Sequence, residues 1–119
     1  MSSNNWSCEV SGDVPIFEFE EGMDQSEFAG SAWDEYTTQI DRHDVSGLVT
    51  VVRMDDPFHA DTFEVWNRSG QKAVKEGITK WGVVAEGLKS MSLKSQLDVP
   101  GLDVYTTEDR NDGIEWVRS

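Results

Sequence analysis

The sequence predicts a small α/β domain of order β-β-α-β-α-β-α-β-α. A mostly parallel central sheet follows an N-terminal hairpin and is covered by helices. Three observations lead there. GLVTVVRM (Gly47 to Met54), KWGVVAEG (Lys80 to Gly87) and LDVYT (Leu102 to Thr106) are short apolar runs rich in β-branched residues. Stretches with helical spacing of apolar residues separate them and close the chain. The length, 119 residues, fits one domain, 1–119, of which the polar end 1–5 is expected to be loose.

Each element has a local reason. Trp6 to Val10 and the alternating IFEFE (Ile16 to Glu20) are the arms of a hairpin, punctuated by Ser11, Gly12, Asp13 and Pro15. The first helix is expected from Asp24, a cap with Glu27 three residues on. Phe28, Ala32, Trp33, Tyr36 and Ile40 form its apolar stripe, and Arg42 and His43 sit at its negative end. Leu48 to Val52 is nearly all apolar and β-branched, as a strand buried on both faces requires. A second helix is expected from Asp61, with Glu64 completing a capping box. Phe63, Trp66, Gly70, Ala73, Val74 and Gly77 share its face, and Gly70 either admits a close neighbour or merely weakens the helix. Gly77 ends it, and Trp81 to Ala85 is the next buried strand. A short helix from Ser90 to Leu97, a turn at Pro100 and Gly101, and a strand from Leu102 to Tyr105 follow. The last helix is expected near Thr106 or Thr107, packing Ile114, Val117 and Trp116.

Composition bounds the function. The net charge is −13, with 23 acidic and 10 basic residues, so the surface repels phosphates and nucleic acid is not an expected partner. Lys is scarce and Asp and Glu are abundant, a composition similar to that of halophilic, haloarchaeal cytoplasmic proteins. Such charges repel one another at low salt, so stability is expected to rise with salt. The single Cys8 makes no internal disulfide, no apolar run approaches bilayer length and no secretory signal is evident, so a cytoplasmic location without a transmembrane segment is expected. Charge is uneven along the chain. Met1 to Asp41 holds ten acids and no Lys or Arg, while Arg68, Lys72, Lys75, Lys80, Lys89 and Lys94 face only Glu76 and Glu86 in sequence. That second stretch reads as solvated helix faces, or as a less negative surface for an anionic ligand or acidic partner.

Strand and helix order, with the stretches GLVTVVRM, ITKWGVVAEGL and LDVYTTEDRNDGIEWV, resembles the STAS fold of bacterial anti-sigma-factor antagonists. More closely, it is similar to the SpoIIAA-like branch, over Ile16 to Val117. The resemblance implies a single STAS-like domain without established enzymatic activity. It also implies a partner protein or small ligand bound at the start of the helix after the central strand. In the antagonists that spot carries a phosphorylatable Ser in an Asp-Ser-Ser-Gly-like sequence. Here MDDPFHADTF stands there: Thr62 is its one hydroxyl and the Asp-Ser-Ser-Gly pattern is absent. The branch is thought to move its middle helices and expose an apolar groove. The matching residues are Phe58, Phe63 and Trp66 with Leu88, Met91, Leu93 and Leu97.

The expected function is therefore a non-enzymatic binding domain for a small hydrophobic or lipid-like molecule. Its ligand would lie against Phe58, Phe63, Trp66, Leu88, Met91 and Leu93, beside the strand-end loop bearing Asp55, Asp56, His59 and Thr62. The alternative is a protein-interaction module or homodimer, since five tryptophans make an exposed aromatic patch conceivable. Asp55, Asp56, His59 and Asp61 cluster after a strand end but match no metal-site spacing, so no metal, cofactor or catalytic residue is expected. Cys8 has no basic neighbour in sequence to make its thiol reactive.

Overall fold

Among the described residues, five strands form one sheet in the order β1-β2-β3-β4-β5. They are β1 (Trp6–Ser11), β2 (Val14–Phe19), β3 (Leu48–Val52), β4 (Lys80–Val84) and β5 (Asp103–Thr107). β1 and β2 pair antiparallel and every other pair is parallel. The computed structural model describes residues 5–42, 45–54 and 58–119, and for Leu88 the backbone alone. The helices are α1 (Ser31–Ile40), α2 (Ala60–Lys75), α3 (Gly87–Gln96) and α4 (Arg110–Arg118). The expected α/β architecture, with its N-terminal hairpin and mostly parallel sheet, is thus the observed one. The three apolar runs lie side by side, Leu48 opposite Trp81 and Trp81 opposite Val104.

Because consecutive parallel strands are neighbours, right-handed crossovers place α1, α2 and α3 on one face. Their buried residues, among them Tyr36, Ile40, Trp66, Ala73 and Leu93, join Phe17, Phe19, Leu48 and Trp81 of the sheet. Of the described helices, α4 packs on the other face, where Val117 meets Val14, Ile16, Val49, Val51 and Val84. Glycine sets the spacing of α4. A Cβ on Gly82 would lie 3.1 Å from the Gly113 carbonyl oxygen and 3.2 Å from Val117 Cγ2. On the opposite face Gly70 plays the part read from the sequence. A Cβ there would stand 2.9 Å from Val99 Cγ2 and 3.3 Å from Trp81 Cζ3.

Several boundaries depart from the expected ones. Asp24 does cap, accepting from the Ser26 N–H at 2.9 Å, but it caps a single 3₁₀ turn, Gln25–Phe28. α1 starts only after Gly30, whose backbone interrupts the helix. His59, not Asp61, is the N-cap of α2, and it makes no side-chain cap bond. α3 begins at Gly87, before Ser90. Thr106 and Thr107 belong to β5, paired with Val83 and Val84, as β-branched residues favour. Asp109 therefore caps α4, accepting from the Asn111 and Asp112 N–H groups. His43 lies outside the described residues.

Candidate functional site

The carboxyl ends of β3 and β4 open into a cavity of about 690 Å³. Open α/β sheets place ligands in this position, because the chain leaves each strand there to enter a helix. The floor is hydrocarbon: Val51, Val52 and Met54 from the end of β3, Val84 and Ala85 from the end of β4. Phe58 and Phe63, around the start of α2, make one wall, and Lys89 and Ser92 of α3 make another. Arg53, Glu21, Glu86 and Glu108 ring the mouth. The volume lies within the roughly 300–1,000 Å³ common to small-molecule sites, and the lining divides almost evenly between an apolar floor and wall and a charged, polar mouth.

The charges of the mouth are tied to others just outside it. Arg53 Nε donates to Glu18 Oε2 at 2.5 Å, and this bond leads the causes that hold the Glu18 carboxyl below, and the Arg53 guanidinium above, their ordinary ranges. Glu20 is pushed the other way, first by burial and then by its neighbour Glu18. Arg110, at the start of α4, bonds Glu9 at 2.6 Å and lies 3.9 Å from Glu18. Glu108 accepts from the Gly87 N–H at 3.2 Å, which satisfies a donor in the first turn of α3. The Lys89 ammonium sits 4.4 Å over the Phe58 ring.

Of the residues expected to hold a ligand, Phe58 and Phe63 line this cavity. Trp66 and Leu93 do not; they are 3% and 0% exposed, inside the core. Met91, 68% exposed, projects from α3 away from the lining. Asp55, Asp56 and the Leu88 side chain lie outside the described residues. His59 is exposed, and its backbone N–H donates to Gln25 Oε1 at 3.0 Å. Thr62 is buried and donates to the same oxygen at 2.7 Å. Gln25 thus ties the entry of α2 to the 3₁₀ turn, and the Thr62 hydroxyl is occupied there. Among the described residues, no three of His, Cys, Asp and Glu converge as a metal site would need.

Trp66 instead anchors a closed aromatic cluster. Its ring stacks on Trp81 at 5.4 Å and meets Phe19, Phe28 and Phe58 within 6.0 Å. Only about 30 Å³ of space remains beside it, bordered by Tyr36, Thr50 and Ser69. Trp81 Nε1 donates to Thr50 Oγ1 at 3.0 Å and the Tyr36 hydroxyl donates to the Ser69 carbonyl, while Trp66 Nε1 is buried without a partner. A second groove of about 690 Å³, polar at Asn67, Gln71 and Gln96, runs along the far side of Phe58 and Phe63.

Two further expectations bear on chemistry. Burial, reinforced by Glu35 and Glu9, pushes the Cys8 thiol up to about 12, so the thiolate is scarce at neutral pH. No tryptophan forms an exposed patch: Trp66 and Trp81 are buried, and Trp6, Trp33 and Trp116 are half-buried. The exposed large apolar side chains among the described residues are Val10 and Met91. No described helix is long and apolar enough to cross a membrane. Comparison with models of known families, with characterised proteins and with solved structures finds no match.

Proposed function

We propose that this chain is a non-enzymatic binding domain that takes a small amphipathic molecule in the cavity at the ends of β3 and β4. The observation that carries this reading is the pairing of a hydrocarbon floor with a charged mouth in one cavity of about 690 Å³. A ligand's chain would lie on Val52, Met54, Val84 and Ala85, and its head group would stay at the mouth. Each buried methylene contributes about 0.8 kcal/mol before the costs of association, so the chain supplies affinity and the head group selectivity. The STAS-like kinship belongs to the same proposal; its support is the strand-helix order and the placement of the cavity at the entry to α2 and α3. The reading as a protein-interaction module has weaker support, because the tryptophans that motivated it are packed inward.

Titration with octanol at molar KCl, followed by amide NMR, tests the proposal. Shifts should cluster at Arg53, Met54, Ala85, Glu86 and Ser92. Ser92→Trp, at an exposed lining position, should fill the cavity and abolish them. It should change unfolding free energy by no more than about 0.5 kcal/mol, as surface substitutions do. Shifts scattered over the surface, or none at all, would refute it.

A further inference from the structure

Resting on that reading, we infer that the head group selected by the cavity is a cation: the site takes a hydrophobic ammonium, and the Lys89 side chain holds the cation's place when the site is empty. The argument begins with Phe58. One part of its ring is locked into the aromatic core against Phe28 and Trp66, at 5.4 and 5.6 Å. The face toward α3 carries the Lys89 ammonium at 4.4 Å, well inside the roughly 6 Å over which a cation is drawn to an aromatic quadrupole. An ammonium at this spot is therefore a geometry the cavity already supports.

The groups that could instead welcome an anion are engaged. Arg53 is held by Glu18 at 2.5 Å. The first turn of α3, where an anion would seek backbone N–H groups, has Gly87 N–H already donating to Glu108. The carboxylates at the mouth, Glu21, Glu86 and Glu108, outnumber the basic side chains Arg53 and Lys89. Glu86 is exposed and makes no cap bond to α3. The whole chain, at −13, adds a field that draws cations and repels carboxylates. A carboxylate-bearing lipid would face that field with no uncommitted partner among the groups named; an ammonium would displace Lys89 and meet the same ring.

Three probes with one hydrocarbon chain decide the matter: octyltrimethylammonium, octanoate and octanol, each titrated into the intact protein with the shifts at Met54, Ala85 and Ser92 as readout. The ammonium should bind about tenfold more tightly than octanoate, with octanol between. Lys89→Gln vacates the Phe58 face and should tighten ammonium binding roughly twofold to twenty-fivefold. Lys94→Gln removes the same charge from the exposed side of α3 and should leave the constant within about twofold. If octanoate or octanol matches the ammonium, or if Lys94→Gln tightens binding as much as Lys89→Gln, the cation preference is wrong while the cavity stands. If no probe shifts those residues, the cavity reading itself falls, and the inference with it.

Discussion

Phe58 separates two regions of similar apolar chemistry and opposite outcome. On one side, Phe19, Phe28, Trp66 and Trp81 interlock with ring centroids 4.8 to 6.0 Å apart and leave about 30 Å³ unfilled. On the other, Val52, Met54, Val84 and Ala85 leave about 690 Å³. Rings on α2 and the 3₁₀ turn reach across to the sheet and meet there. At the strand ends the side chains are short, and α3 sends Ser92 toward the gap. The closed end is thus filled by rings that meet across from helix to sheet, and the open end is left by aliphatic residues at and just past the strand ends, with Phe58 and Phe63 as its wall.

Truncation at the two ends should differ most in stability. Trp66→Ala should cost about 3–5 kcal/mol in urea unfolding, the range for deleting a buried large aromatic. Phe63→Ala, at a half-buried wall of the cavity, should cost less than half as much, because one side of its ring already lacks neighbours. Equal losses would erase the distinction between closed and open ends. Salt provides the next largest effect. With 23 acids against 10 bases, melting temperature should climb from low salt to molar KCl as repulsion is screened. The gain should be parallel in wild type and Trp66→Ala, since the aromatic end bears no charge. A flat salt dependence would reject the halophilic reading of the composition.

This contrast explains what could be read from the chain. β3 and β4 were legible because Leu48-Val49-Thr50-Val51-Val52 and Trp81-Gly82-Val83-Val84 are runs of β-branched and apolar residues with almost no charge, as strands buried on both faces require, and Gly70 because a helix glycine can admit a close neighbour. The ligand wall was legible only in part. Phe58 and Phe63 line the cavity, but Trp66 and Leu93 share their helical spacing with core residues, and periodicity says which face is apolar without saying what fills the space beyond it. Val84, Ala85, Glu86, Lys89 and Ser92 carry no motif. Their signal was positional: they follow the carboxyl end of a central parallel strand, and the crossover rule brings them beside the end of β3. The break between the 3₁₀ turn and α1 was missed because Asp24 and Glu27 form a helix-start pattern that Gly30 overrides only in three dimensions.

The smallest effect lies in two glutamates of β2 and its exit, which titrate in opposite senses beside the open end. Glu18, bonded to Arg53, ionises more readily in the fold than at its ordinary value of 4.5. It therefore stabilises the fold above that value, and the contribution disappears as pH falls through its lower folded pKa. Glu20 ionises less readily than at 4.5, so its contribution is present below that value and is lost as pH rises through its higher folded pKa. The two changes fall in adjoining windows, Glu18 on the acid side of 4.5 and Glu20 on the neutral side, so together they give a stability maximum near that value. Glu18→Gln should flatten the acid limb and cost up to about 1 kcal/mol at neutral pH, the range for an exposed pair. Glu20→Gln should leave the acid limb intact and raise the melting temperature at neutral pH. Stability curves from acid to neutral pH for the two variants separate these contributions. Because Arg53 lines the cavity and Glu18 does not, Glu18→Gln should also release the guanidinium at the mouth and weaken the preference for octyltrimethylammonium over octanoate. A variant that lost the acid limb yet kept that preference would show that the Glu18–Arg53 pair governs stability alone and leaves selection at the open end to Phe58 and the mouth carboxylates.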